Sequence, residues 1–242
     1  MTPAQIHALV APVALYTDGL LSQMFLASTY PADIAQAQMM APSYAQMPAD
    51  QAAEAIRLQP WDPSVKFLFS FPQVLSMMAT QPEWTRQIGD LYRTRPIDLM
   101  KSVQAMRQLA LKTGSLKSGP QINVVVDAQG QIVISPVNPN VVYIPQYNPT
   151  VVYGAWAYPA YPPYPVYNPS WGAVAFGAGI AAGALIWATP HWRTGTVVVN
   201  RNTYNNFTRR YGYPGVYNRP APVRPVPAVG RQWHGNGPGW RR

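Results

Sequence analysis

The sequence predicts an α+β chain: a multi-helix N-terminal domain with a small antiparallel β unit, then a Gly/Ala-rich apolar helix and a largely irregular C-terminal tail. Three observations carry this prediction. Prolines recur at helix-start spacing through the first 117 residues. Short β-branched runs bounded by glycine and proline replace that pattern near residue 120. Charge then vanishes from 171–188 and returns afterwards as arginine alone.

Each helix of the N-terminal part, 1–118, begins at or near a proline, which suits a first-turn position because proline has no N–H to leave unpaired. Starts are predicted at Pro31, Pro48, Pro63, Pro72, Pro82 and Pro96. Asp62 stands before Pro63 as an N-cap, and Asp18 is placed to cap the run Gly19–Ser28. Leu20, Leu21, Met24 and Phe25 share one helical face, as do Ile97, Met100, Val103, Met106 and Ala110 in the longest helix. These apolar stripes read as core faces.

Gly114 and Gly119-Pro120 end the helical pattern. In the β unit, 119–155, the runs Ile122–Asp127 and Gln131–Ser135 flank Ala128-Gln129-Gly130 and predict a hairpin. Val141–Pro145 is a third extended piece, kept short by prolines 136, 139, 145 and 149. Residues 156–170 alternate tyrosine with proline and predict an extended strap, lying on the chain's own body or offered to a partner.

Residues 171–189 predict an apolar helix. Its eighteen uncharged residues 171–188 would reach ~27 Å, just short of a ~30 Å hydrocarbon core. Ala175, Gly179 and Gly183 recur every fourth residue, giving a small-residue packing face, and Trp171 and Trp187 mark its ends. Membrane contact and burial in a helical seam both fit. Thr194–Val199 is a possible strand within the tail, 190–242, where Asn, Arg, Gly, Pro and aromatics leave few aliphatics for a core.

The formal charge of +9 belongs to that tail. Nine acidic side chains cancel nine basic ones through residue 189, whereas Arg193, Arg201, Arg209, Arg210, Arg219, Arg224, Arg231, Arg241 and Arg242 follow with no acid. These arginines are the candidate contacts to anionic lipid or an envelope polymer; a plain solubilising tail is the next reading, and the aromatics between them make nucleic acid a weaker alternative. Contacts with other envelope proteins or self-association are also expected.

Catalytic chemistry has little to stand on. The absence of cysteine removes disulfides, thiolate nucleophiles and zinc-thiolate sites, and His7, His191 and His234 have no metal-ligand spacing. No nucleophile-elbow or phosphate-loop glycine pattern occurs. No catalytic residue, metal or cofactor is predicted. Asp18 and Asp62 are the first choice for an acid–base pair if there is one, with helix capping as the simpler role for both.

The segments LVAPVALYTDGLLSQMFLASTYPADI (9–34), PWDPSVKFLFSFPQVLSMM (60–78) and VVYIPQYNPTVVYG (141–154) resemble, in this order, three blocks of an uncharacterised bacterial family carrying a domain of unknown function. Thr17, Gln59 and Asn148 stand where the family usually has proline, asparagine and aspartate. Members usually look exported, with a leader ahead of the first block, so the resemblance implies the cell envelope and supplies no reaction. The opening residues here lack a basic stretch before an unbroken apolar core and are not read as such a leader.

The expected function is therefore a non-enzymatic envelope protein, periplasmic or membrane-associated, that acts as a scaffold or interaction module. A membrane-oligomerising anchor or channel through 171–188 is the first alternative. An enzyme acting on an envelope polymer through Asp18 and Asp62 is the second.

Overall fold

Proline punctuates the helical half as its chemistry requires. In the computed structural model, which describes residues 1–211, helices begin at proline in α1 (Pro3–Val10), α3 (Pro31–Ala45), α5 (Pro63–Phe67), α6 (Pro72–Thr80), α7 (Pro82–Thr94) and α8 (Pro96–Lys112). Pro48 is the N-cap of α4 (Ala49–Leu58), and α2 (Asp18–Ala27) starts without proline. Asp62 caps α5 by accepting from the Ser64 N–H at 2.8 Å. The inward stripe of α8 is Leu99, Met100, Val103, Met106 and Ala110; Ile97, expected on that face, is exposed in the first turn.

Between α1 and α2 the chain makes a buried turn through residues 11–16, and the backbone groups that its local bonds leave over must find partners elsewhere. Long side chains from distant elements supply them. The Tyr147 and Tyr153 hydroxyls donate to the Ala11 carbonyl at 2.8 and 2.6 Å, and the Leu15 N–H donates to Tyr147. Arg107 on α8 donates to the carbonyls of Ala14 and Tyr16, while the Trp84 indole of α7 donates to Leu9. The first and third sequence blocks thus meet physically at this turn.

The hairpin β1 (Ile122–Val126) and β2 (Ile132–Pro136) forms as predicted, in the register Val124 opposite Ile134. Its free edges are closed by side chains. Ser118 Oγ takes both backbone groups of Val124, Gln104 takes both groups of Ile132, and Asp18 accepts from the Ile134 N–H. Sealing an edge in this way removes a template for strand pairing.

The expected helix over 171–189 does not form. The strand predicted at Val141–Pro145 narrows to β3 (Pro145–Gln146) and a Val142–Ile180 bridge, and one short helix, α9 (Pro149–Val152), follows it. The apolar segment pairs with these residues: β4 (Ala175–Phe176) lies antiparallel to β3. Then come a tight turn at Gly183–Leu185 and β5 (Ala188–His191), which pairs with β6 (Thr196–Val199). Four glycines at about 1 kcal/mol each weigh against a helix here. The small residues serve a close approach of another kind. A Cβ at Gly179 would stand 2.5 Å from the Val141 side chain, and one at Gly183 would stand 1.9 Å from the Pro139 carbonyl oxygen. No helix among the described residues is long and apolar enough to cross a membrane.

The tail is not irregular throughout, since Arg201–Tyr211 forms α10. The Asn200 side chain accepts from the Thr203 N–H at its start. Tyr204, Phe207 and Tyr211, spaced i, i+3, i+7, turn one face inward against Trp187, with ring centroids 4.9 Å apart for Trp187–Tyr204. Aromatic area here replaces the missing aliphatics, and α10 packs on α4 and α5. The apolar core runs continuously from Ile6 to Phe207. The Tyr/Pro strap lies along α1: the Tyr164 N–H donates to Ala8, and the Tyr158 ring meets His7 at 5.5 Å.

Candidate functional site

Arg107 is fully buried on α8, and all three of its nitrogens are used. Besides the two turn carbonyls, its Nη1 donates to Asp18 Oδ1 at 2.6 Å and to the Ile132 carbonyl at 2.7 Å. Asp18 accepts from the Ile134 N–H through the same oxygen and from the Trp192 indole N–H, at 3.2 Å, through Oδ2. The guanidinium carbon lies 4.6 Å from the Trp192 ring centroid. Asp18 is therefore the first residue of α2 rather than its cap. Its carboxylate fastens the helical body to both hairpins.

A cleft of about 880 Å³ opens above this node, between β2 with its turn and β5 with its turn. Asp18, Thr17 and Gly19 form part of its floor, and Asp127, Gln131, His191 and Arg193 line its walls. The Asp127 carboxylate accepts from the Gln129 and Gln131 N–H groups and shapes its own turn. His191 Nδ1 lies 2.8 Å from Thr194 Oγ1, which in turn lies 2.7 Å from Thr196 Oγ1.

The second carboxylate of interest sits elsewhere. Asp62 Oδ1 accepts from both the Ser64 N–H and its hydroxyl. The Asp62 backbone N–H reaches the Asp33 carboxyl, which burial raises above its usual range and that bond opposes. Nearby, the Lys66 ammonium donates to the Arg57 carbonyl at 2.9 Å. Burial, and secondarily the Arg57 charge, pushes Lys66 down to about 8, with Asp62 opposing. Asp18 and Asp62 are thus engaged in two separate networks, one tying α2 to the hairpins and one capping α5, and they do not present a shared acid–base pair.

The residues read as a membrane or packing face are dispersed. Trp171 is half-buried in a turn, Ala175 is exposed in β4, and Gly179 and Gly183 pack on residues 139–143. Trp187 is buried under α10 rather than set at a membrane boundary. Of the arginines, Arg193 lies at the cleft, whereas Arg201, Arg209 and Arg210 lie on α10 with their side chains exposed. Arg210 reaches over the Tyr211 ring at 5.6 Å. Arg219, Arg224, Arg231, Arg241, Arg242 and His234 lie outside the described residues. His7 is half-buried, and burial lowers its pKa. No group of three or more metal-ligating side chains occurs among the described residues.

Sequence reasoning missed Arg107, Trp192 and the tyrosine pair Tyr147 and Tyr153. A lone arginine inside an apolar helical stripe was the available signal for the first. The tyrosines stood in the third block without a visible partner.

The chain is 44% identical over 197 residues to the uncharacterised protein YacH of Escherichia coli K12, an alignment covering 69% of this chain and 32% of that protein. It thus spans about a third of the length of the curated relative it matches. No solved structure matches it. The model of the family described as "Protein of unknown function (DUF3300)" matches residues 2–224, nearly the whole chain, and the protein belongs to that family.

Proposed function

We propose that this chain is an interaction module of the bacterial cell envelope that holds to an anionic surface, lipid head groups or an envelope polymer, through the arginine face of α10 and the arginines beyond it. The observation that carries the reading is the asymmetry of α10. Its aromatic side is packed on Trp187, and Arg201, Arg209 and Arg210 project from the solvent side of a helix without a single acid. A folded element that displays cations unpaired with acids attracts polyanions at a distance of about one Debye length, and salt weakens the attraction. The envelope setting rests on the resemblance of the three blocks to exported proteins. A scaffold role fits the use made of Asp18 and Asp62, whose carboxylates hold structure.

The test is co-sedimentation of the full chain with vesicles containing about a third phosphatidylglycerol, beside neutral vesicles, at low and high salt. Binding to the anionic vesicles alone, lost at high salt and reduced at least tenfold by Arg201→Gln/Arg209→Gln/Arg210→Gln, is the expected result. Binding that ignores both salt and the triple variant sinks the reading.

A further inference from the structure

The cleft between the hairpins has two unlike ends, and the side-chain contacts fix which is which. Trp192 joins Asp18, which joins Ile134, and Arg107 joins Ile132, so the β5–β6 turn stands beside the β1–β2 turn. At the opposite end, the backbone of Gly183 abuts Pro139 and Asn140, and Ile186, three residues on, packs against Gly19 on the cleft floor. One end is therefore apolar: Pro136, Pro139 and Ile186, over the buried Val142. The other is polar: Asp127, Gln129, Gln131, His191, Arg193 and Thr194.

Among the described residues, neither Asp127 nor Arg193 forms an ion pair, although they stand on opposite walls of the same polar end. Asp127 uses one oxygen for its turn and has the other left over. A purely anionic head would meet Asp127, and a purely cationic one would meet Arg193. A head carrying both charges meets two complementary partners.

Other occupants fit less well. An added β-strand finds β2 closed by Gln104 and Asp18, and Pro190 offers no N–H from β5. A sugar ring finds no open aromatic face, because Trp192 is only 7% exposed and carries Arg107 on its ring. The volume of about 880 Å³ lies within the roughly 300–1,000 Å³ of pockets that enclose one small ligand.

We propose that this cleft binds one single-chain zwitterionic amphiphile, with an ammonium-and-phosphate head between Asp127 and Arg193 and an acyl chain along Pro136, Pro139 and Ile186. The site is independent of the arginine face of α10.

Calorimetric titration of the full chain with a monoacyl glycerophosphoethanolamine, kept below its micelle concentration, tests it. Saturable one-to-one binding is expected, about tenfold or more weaker for the matched phosphoglycerol head and for glycerophosphoethanolamine without its chain. Arg193→Gln and Asp127→Asn each weaken it about tenfold, while Arg201→Gln/Arg209→Gln/Arg210→Gln leaves it unchanged. Asn at 127 keeps the oxygen that accepts the turn N–H groups, and a thermal melt verifies that each variant is folded. Absence of saturable binding, equal affinity for the three ligands, or indifference to both cleft variants overturns the proposal.

Discussion

Arg107 and the arginines of α10 carry the same side chain to opposite ends. Arg107 is buried with every nitrogen spent on the body of its own chain, one acid and three carbonyls. Arg201, Arg209 and Arg210 stand on a helix with no acid, facing solvent. Charge count alone does not separate these roles, since each arginine adds one positive charge. What separates them is whether the surrounding fold has backbone acceptors to spare. The buried turn at 11–16 has them and recruits Arg107. The outer face of α10 is open to solvent, so its carbonyls are bonded within the helix or hydrated by water and do not recruit its cations.

The sharpest way to break this comparison is to remove the buried member. Arg107→Ala leaves the Asp18 carboxylate without its counter-ion and the carbonyls of Ala14 and Tyr16 without this donor in the interior, while Ile132 keeps Gln104. Breaking a buried pair by deleting one partner costs about 3–5 kcal/mol. Urea denaturation is expected to show a loss of that size, or no folded protein. A change under about 1 kcal/mol would mean that the node does not fasten the hairpins to the helices.

Lys66 is the second buried cation, and it sharpens the contrast through pH. Its ammonium form is disfavoured in the fold, where it titrates at about 8, and favoured in the unfolded chain, where it titrates near about 10.4. Between those values the unfolded state binds more protons, so stability rises with pH across that window. Tyr147, Tyr153, Tyr16 and Tyr92 act in the other direction. Burial keeps their phenols neutral while unfolded phenols ionise near about 10, so stability falls above that pH. Denaturation midpoints from pH 7 to 11 are expected to climb and then drop, and Lys66→Met is expected to remove the climb while keeping the drop. A climb of equal size in Lys66→Met would assign it to another group.

How much of this was legible depends on the range of the physics. The proline starts and the Asp62 cap are local, because they depend on a missing N–H or on a side chain bonding two residues on, and the structure has them. The role of Asp18 is not local. Its partners Arg107, Ile134 and Trp192 stand 89, 116 and 174 residues away, and capping was the only role its neighbours could suggest. The segment 171–188 lies between these cases. Its four-residue spacing of small residues reads as a helix face, whereas in the structure Ala175 is exposed, Gly179 meets side chains and Gly183 meets backbone. A side chain at Gly179 would collide with those of Val141 and Tyr143, and one at Gly183 with the backbone turn at Pro139 and Asn140. The helix α10 was legible in the spacing of Tyr204, Phe207 and Tyr211, and was hidden by a composition poor in aliphatics.

The smallest expected effect on stability belongs to the exposed arginines, and it completes the comparison. Arg201→Gln/Arg209→Gln/Arg210→Gln changes no ion pair among the described residues, and glutamine is nearly as good a helix former as arginine. Arg210 gives up a contact with Tyr211, worth at an exposed site about 0.5–1 kcal/mol at most. The aromatic face that holds α10 to Trp187 is untouched. The denaturation midpoint is therefore expected to move by less than the equivalent of about 1 kcal/mol, a fraction of the Arg107→Ala effect. A loss matching that of Arg107→Ala would mean that these cations hold the fold itself, and the division between structural and displayed arginines would fail at α10.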